Sequence, residues 1–278
     1  MTSNDILFVI VLYKESLCES SSFRTITNSL KKNIHKDERG LLYVYDNSPV
    51  SQVVQEHPLW NIIWVKDPAN SGLSTAYNKA AKVALQNSKK WLFLMDQDST
   101  FPLGTIEEYV RMINLNRDIY LFSLIVKIKD GRIMSPYKKK MKWGKFINDA
   151  SSGIYNLQKF GVINTGLCIR LDIFNASGGY NEKVKIDGAD FQFLERVSSV
   201  ISNFYVVNII AQQRFSLFEL DKDKLAERYR VFLADVCNFD KNSIYDKFFY
   251  KILIVKRTLR LTFDTRSTNF FKILFSNK

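Results

Sequence analysis

The sequence predicts an α/β protein, with a mostly parallel central sheet flanked by helices and a helical extension at the C-terminus. Three observations carry that prediction. Short, continuous apolar runs recur through the first 100 residues, as strands buried on both faces require. Segments of helical spacing separate some of them, and β–α alternation is the pattern of a parallel sheet covered by helices. Each run also ends in polar residues: Tyr13-Lys14-Glu15, Asp46-Asn47, Asp67 and Asp96-Gln97-Asp98. Ligands of open α/β sheets bind outside the carboxyl ends of the strands, so these ends should line one crevice.

The elements follow in order. Ile6 to Tyr13 reads as the first buried strand. Phe23 to Ile34 has apolar residues at 23, 26, 30 and 34, which is helical spacing. Leu41 to Tyr45 is a second strand, ended by the turn signal Asp46-Asn47-Ser48-Pro49. Ile62 to Val65 is a third. Asn70-Ser71-Gly72 is a turn, and Ser74 is positioned to cap a helix from about Thr75 to Asn87. The fourth strand is Trp91-Leu92-Phe93-Leu94-Met95. Thr105 to Asn114 reads as a helix and Tyr120 to Ile128 as a strand before the hairpin signal Asp130-Gly131. Lys138 to Lys145 is a basic run read as a solvated loop. Phe160 to Arg170 is apolar except for Asn164-Thr165-Gly166, a polar break of the kind that marks backbone approaching a ligand. Gly178 to Glu182 is a turn. Phe191, Leu194 and Val197 form a helical stripe with Asp190 in its first turn, Phe204 to Ile210 is a strand, and Leu220 to Phe239 is helical. The expected organisation is a catalytic domain over 1–215, split at about residue 100, and an extension over 216–278.

Composition excludes several classes. Cys18, Cys168 and Cys237 are far apart, which argues against a disulfide framework or zinc knot and suits a reducing compartment. His35 and His57 are the only histidines, too few for a histidine-rich metal site or a Ser-His-Asp triad. Neither G-x-G-x-x-G nor a Walker A string occurs, which disfavours a dinucleotide or P-loop site. No basic leader or apolar run of 18 residues appears, so neither a signal peptide nor a membrane span is expected. The net charge of +12 calls for an anionic partner. Residues 241–278 carry nine Lys or Arg against two Asp, interleaved with Phe248, Phe249, Tyr250, Leu259, Phe263, Phe270 and Phe271. Such a segment suits the interface of an anionic membrane. The plainer alternative is a helix packed on the domain with a basic outer face. RNA binding rests on charge alone, without a nucleic-acid motif.

The chemistry centres on Asp96 and Asp98. In extended geometry, residues i and i+2 point to the same side. Two such carboxylates repel unless a positive charge lies between them, and Mg²⁺ favours one or two carboxylates plus phosphate oxygens. The plain alternative is a solvated turn.

These strings together resemble glycosyltransferase family 2, in its bacterial rhamnosyltransferase-like branch of O-antigen and capsule synthesis. The resemblance spans about residues 6 to 215 and rests on Tyr45-Asp46-Asn47-Ser48, Asn70-Ser71-Gly72 with Asn78, Leu94 to Ser99, Asn164-Thr165-Gly166, Gly178 to Glu182 and Ile186 to Asp190. It implies a GT-A fold, a Rossmann-like sheet with a nucleotide half and an acceptor half. It implies inverting transfer from a nucleotide sugar, with dTDP-rhamnose and UDP-galactofuranose as first donors, to a lipid-linked saccharide at the inner face of the cytoplasmic membrane. Asp46 would bind the base, within a donor site of Tyr13, Asp46, Asn70, Gly72, Asn78, Asp96 and Gln97. Asp96 and Asp98 would hold Mn²⁺ or Mg²⁺, and Asp190 would be the general base. Asn164, Thr165, Gly166 and Asp187 would face the acceptor. Many relatives place a further His ligand after the late strand. Here Gln212-Gln213 stands in that region, and either glutamine is a substitute. The alternative is a catalytically weak binding module with a degraded metal site.

Overall fold

A computed structural model describes residues 1–31, 39–50, 52, 56–214 and 221–276. Among these residues, twelve strands join in one sheet. Its centre is β1 (Ile6–Leu12), parallel to β2 (Gly40–Asp46), which is parallel in turn to β3 (Trp60–Lys66). On its other edge β1 runs parallel to β4 (Trp91–Asp96). Val11 lies opposite Asp96 and Leu12 opposite Asp46, so the polar strand ends meet along one edge.

The apolar runs are continuous because both faces are buried. On β4, Leu92 and Leu94 face one core with Leu7, Val9 and Val11. Trp91, Phe93 and Met95 face the opposite core with Ile6, Phe8 and Ile10. The first core is floored by Ala76, Ala80, Ala81 and Ala84 of α2 (Leu73–Gln86). The second is filled by Phe23 and Ile26 of α1 (Ser21–Leu30) and by Ile106, Tyr109 and Met112 of α3 (Thr105–Leu115). Helix α1 starts at Ser21 because the Ser20 hydroxyl accepts the Phe23 N–H at 3.2 Å. The end of that expected helix, with Ile34 and His35, lies outside the described residues.

Beyond β4 the sheet becomes mixed. The two-residue β5 (Ser99–Thr100) precedes α3, and β6 (Leu121–Ile128) follows it. The short β11 (Cys168–Arg170) inserts antiparallel between β4 and β6. Strand β12 (Asn203–Gln213) runs parallel to β6 and ends antiparallel to β5. The basic run is not a loop: β7 (Ile133–Lys140) and β8 (Trp143–Ile147) are arms of an antiparallel hairpin. Lys138 and Lys140 are exposed and Lys139 is half-buried, a period of two that consecutive lysines conceal. Strands β9 (Gly153–Asn156) and β10 (Phe160–Gly161) are short, so the expected segment 160–170 is two strands divided by the Asn164–Gly166 loop.

Three further helices follow the mixed part of the sheet. They are α4 (Leu171–Ala176), α5 (Ala189–Val197) and α6 (Lys222–Cys237). The 215/216 boundary and residue 220 lie outside the described residues. Helices α7 (Ile244–Thr265) and α8 (Asn269–Ser276) pack through Tyr250, Thr258, Phe270 and Ile273. The outer face of α7 remains in solvent, with Ile244 84% and Phe263 85% exposed. No helix among the described residues is long and apolar enough to cross a membrane.

Candidate active site

The turn after β4 is fixed from three directions. From α1, Ser22 Oγ donates to the Asp96 carbonyl and accepts the Ser99 N–H at 2.9 Å, while Ser20 Oγ donates to the Gln97 carbonyl at 2.7 Å. From β1, the Tyr13 N–H donates to Gln97 Oε1 at 2.7 Å, and Gln97 Nε2 donates to the Tyr13 carbonyl at 3.2 Å. The Gln97 amide is thus committed to backbone. From β12, Gln213 lies opposite Ser99. Gln213 Nε2 donates to Asp96 Oδ2 at 3.0 Å and approaches Asp98 Oδ1 at 3.4 Å.

Thr165 Oγ1 also donates to Asp96 Oδ2, at 2.7 Å. Burial raises the Asp96 carboxyl against these bonds. Asp98 is pushed up to about 7, first by burial and then by the neighbouring charge of Asp96. Among the described residues, no group of three or more His, Cys, Asp and Glu could hold a metal. Gln213 adjoins the two acids through its Nε2, and its Oε1 is buried without a hydrogen-bond partner, an amide oxygen that a turn of the side chain would bring to an ion between them. Two carboxylates and an amide oxygen are hard donors suited to Mg²⁺ or Mn²⁺, leaving room for phosphate oxygens. The residues therefore fit such an ion. Of the two glutamines, Gln213 faces the acids and Gln212 is exposed.

Asp46 is 1% exposed. Its Oδ1 accepts the Ser48 N–H at 3.0 Å, whereas Oδ2 and Asn47 Oδ1 are buried without partners. Unpaired buried acceptors at a strand end leave positions for a donor from outside the chain, water or ligand. Nearby, Asn70 takes the left-handed conformation and its N–H donates to the Asp67 carbonyl at 3.0 Å. Asp67 Oδ2 accepts from Ser71 N–H at 2.8 Å and Tyr45 Oη at 2.9 Å. Gly72 has φ +95°, and a Cβ there would lie 2.6 Å from the Lys185 carbonyl oxygen. Helix α2 begins directly after it, so Ser74 is not its cap. Ser74 Oγ donates to the Val184 carbonyl at 2.5 Å.

Several expected ligand contacts are engaged within the protein. Asn78 donates to the Tyr180 carbonyl and Glu182 Oε1, both at 2.9 Å, and accepts the Tyr180 N–H at 2.9 Å. Its amide clamps α2 to the 180–182 turn. Asn164 Oδ1 accepts from Tyr180 Oη at 2.6 Å, and Gly166 donates its N–H to the Leu94 carbonyl at 2.9 Å. Asn164, Thr165 and Gly166 are buried behind the acid pair and do not line an open acceptor surface. Asp187 faces Arg228 of α6, whose Nε is 3.2 Å away, and Arg257 of α7, whose Nη2 is 3.6 Å away.

Asp190 opens α5, with Gly188 as the preceding left-handed residue. Its Oδ1 accepts the Phe191 N–H at 2.7 Å. Burial raises its carboxyl to about 6, with Asp96 and Asp187 adding to the push. Between the acids stands Tyr77, whose buried hydroxyl has no well-formed hydrogen bond and feels the charge of both Asp96 and Asp190. Tyr77 packs on Tyr180 at 5.1 Å, which stacks on Phe193 at 4.0 Å. Sequence reasoning missed Tyr77. Its signal was a hydroxyl placed in the alanine stripe of α2, where a buried tyrosine needs a polar partner.

A parallel half-sheet with an acid pair at the tip of β4, continued by a mixed half beyond it, is the layout of the GT-A fold. The chain belongs to glycosyl transferase family 2, whose sequence profile matches residues 8–176. Its fold is similar to that of GalNAc-T7, solved with UDP, GalNAc and Mn²⁺: the TM-score is 0.54 at 15% identity, over 81% of this chain and 47% of that one. It is also similar to residues 1–349 of S. aureus TarS in complex with UDP-GlcNAc, with a TM-score of 0.50 at 13% identity over 88% of this chain and 69% of that one. The chain spans about half the length of GalNAc-T7. No curated protein matches the chain.

Proposed function

We propose that the protein is an inverting glycosyltransferase that moves a sugar from a nucleotide-sugar donor to a hydroxyl of a lipid-linked saccharide in bacterial surface-polysaccharide synthesis. The observation that carries this reading is the pairing of two acid sites of different character. Asp96 and Asp98 are crowded at the tip of β4, and Asp190 is a separate, half-buried acid whose carboxyl is raised to about 6. A carboxylate of that pKa is mostly ionised at neutral pH and still basic enough to take a hydroxyl proton. Asp190 would accept that proton as the acceptor oxygen attacks C1 and the C1–O bond to the diphosphate breaks, inverting the anomeric centre. Asp46 Oδ2 and Asn47 Oδ1 would accept N–H donors of the base. Asp96, Asp98 and Gln213 would hold Mn²⁺ or Mg²⁺, which when bound neutralises charge on the leaving diphosphate.

The donors to test first are dTDP-rhamnose and UDP-galactofuranose, then UDP-glucose and UDP-galactose. The TarS complexes with UDP and UDP-GlcNAc support including uridine nucleotides. A site at the inner face of the cytoplasmic membrane suits a lipid-linked acceptor, and the basic, aromatic outer face of α7 supports that placement. A second reading, a weak nucleotide-sugar binding module, draws on Gln213 bridging both acids through its N–H₂ where a charged or basic ligand would grip an ion harder.

The test is nucleotide release from this donor panel by purified protein with Mn²⁺, with and without lipid-linked acceptor. Turnover is expected, with Asp190→Asn lowering it about 10²- to 10⁴-fold and Asp98→Ala weakening nucleotide binding in Mn²⁺. Donor binding without turnover selects the binding module. Full activity in both variants overturns the site assignment.

A further inference from the structure

We infer that Asp235, in the C-terminal extension, is a positioning residue for the active site: its carboxylate holds the 185–187 loop that sets Asp190 against the start of α2. This rests on the reading of Asp190 as the base. The Asp235 side chain is 2% exposed and turned away from solvent. Its Oδ1 accepts the Lys185 N–H at 2.8 Å, and its Oδ2 accepts the Ile186 and Asp187 N–H groups at 3.1 and 2.8 Å. Three consecutive amides converging on one buried carboxylate form a charge-assisted anchor, stronger than neutral hydrogen bonds.

What that loop touches makes the anchor functional. Its Lys185 carbonyl accepts the Leu73 N–H of α2 at 2.8 Å and occupies the space a side chain at Gly72 would need. Its Val184 carbonyl accepts Ser74 Oγ. Its other end runs through Gly188, where a Cβ would meet the Phe239 ring at 2.6 Å, directly into Asp190. The donor-side turn at Asn70–Gly72 and the base thus share one short segment, and its backbone donors are held from behind by α6. The rest of the extension grips α5 itself. Gln192 donates to Tyr250 Oη at 2.6 Å and accepts the Asp240 N–H at 2.6 Å, and Arg196 pairs with both oxygens of Asp240 at 2.6 and 3.0 Å.

The experiment compares Asp235→Asn with Arg196→Gln in the full chain. Arg196→Gln breaks a contact of the same extension without touching the 185–187 loop, so it controls for destabilisation alone. Asp235→Asn keeps the volume but presents an N–H₂ where an N–H donor needs an acceptor. Its expected result is a kcat lower by about 10²-fold, the scale of a 1 Å displacement, with donor KM and UDP affinity within about twofold. Amide hydrogen exchange at 185–187 should accelerate in Asp235→Asn and remain unchanged in Arg196→Gln. Asp190→Asn is run alongside: if it stays active, the base reading fails, while the exchange data still decide whether Asp235 anchors the loop. Asp235→Asn with slow exchange at 185–187, or with kcat reduced no more than in Arg196→Gln at equal folded fraction, overturns the inference.

Discussion

At the scale of single residues, one carboxyl and one amide carry consequences that can be measured. Asp190 is raised above its ordinary value by burial, with Asp96 and Asp187 facing it, Arg228 and Arg257 behind Asp187, and the neutral hydroxyl of Tyr77 alongside. A base works ionised, so kcat/KM is expected to rise with pH through an acid limb centred at about 6 and to be flat above it. The same shift acts on stability with the opposite sign: ionising Asp190 costs more in the folded chain than in the unfolded one, so its contribution is full below the ordinary carboxylate range and is lost as pH rises to about 6. A limb below pH 5 would remove Asp190 from the role. Gln213 is the second case. Replacing its amide by imidazole supplies a better ligand at a place already facing both acids. Gln213→His is expected to tighten Mn²⁺ binding by roughly 10-fold or more, the usual scale for a ligand change, read from the free Mn²⁺ signal in electron paramagnetic resonance. Unchanged affinity would mean that the side chain does not reach the ion.

At the scale of elements, the parallel half of the fold was legible because burial on both faces leaves an unbroken apolar run on β1, β2 and β4, and the half-buried edge strand β3 still keeps Ile62 to Val65. The acids were legible too, since they follow those runs directly. The hairpin β7–β8 was not, because five lysines in eight residues erase the polar–apolar contrast that marks a strand. Ser74 had the residue type of a cap, yet α2 begins one position before it and its hydroxyl reaches a loop 110 residues away. The Asn164–Gly166 break was read as a ligand contact, and its side chains instead face Asp96 and Tyr180. Asn78 and Asp187 were expected at ligands from the family resemblance, and neighbouring loops and arginines take their polar atoms. A polar residue near a site can serve the ligand or the residue that serves it, and only the three-dimensional partners tell these apart. Asp235 left the faintest trace: an acid inside the apolar stripe Leu233, Val236, with backbone amides as partners that no side-chain pattern reveals.

At the scale of the whole molecule, the extension has two faces with different work. The inner one grips α5. The outer one presents Ile244, Phe248, Val255, Leu259 and Phe263 along a 22-residue helix, beside the exposed Lys247, Lys251, Lys256 and Arg260. Apolar side chains flanked by cations suit an anionic bilayer surface, where each basic residue contributes about 1 kcal/mol near the headgroups. The protein is expected to float with vesicles rich in phosphatidylglycerol, to stay behind with pure phosphatidylcholine, and to lose binding in high salt or as Phe263→Ser. Equal recovery with both lipids would count against this placement.

The sorting of β4 into a small-residue side and an aromatic side has one more outcome. Leu92 and Leu94 rest on the alanines of α2, while Trp91, Phe93 and Met95 need the deeper space beneath α1 and α3. Exchanging one of these side chains for another of similar bulk disturbs a single position. Deleting one residue between 92 and 95 would either rotate everything before the gap to the wrong side, driving the rings against a helix with no space for them, or shift the acids out of step with Gln213. The strand is therefore forgiving of spelling and intolerant of a change in length.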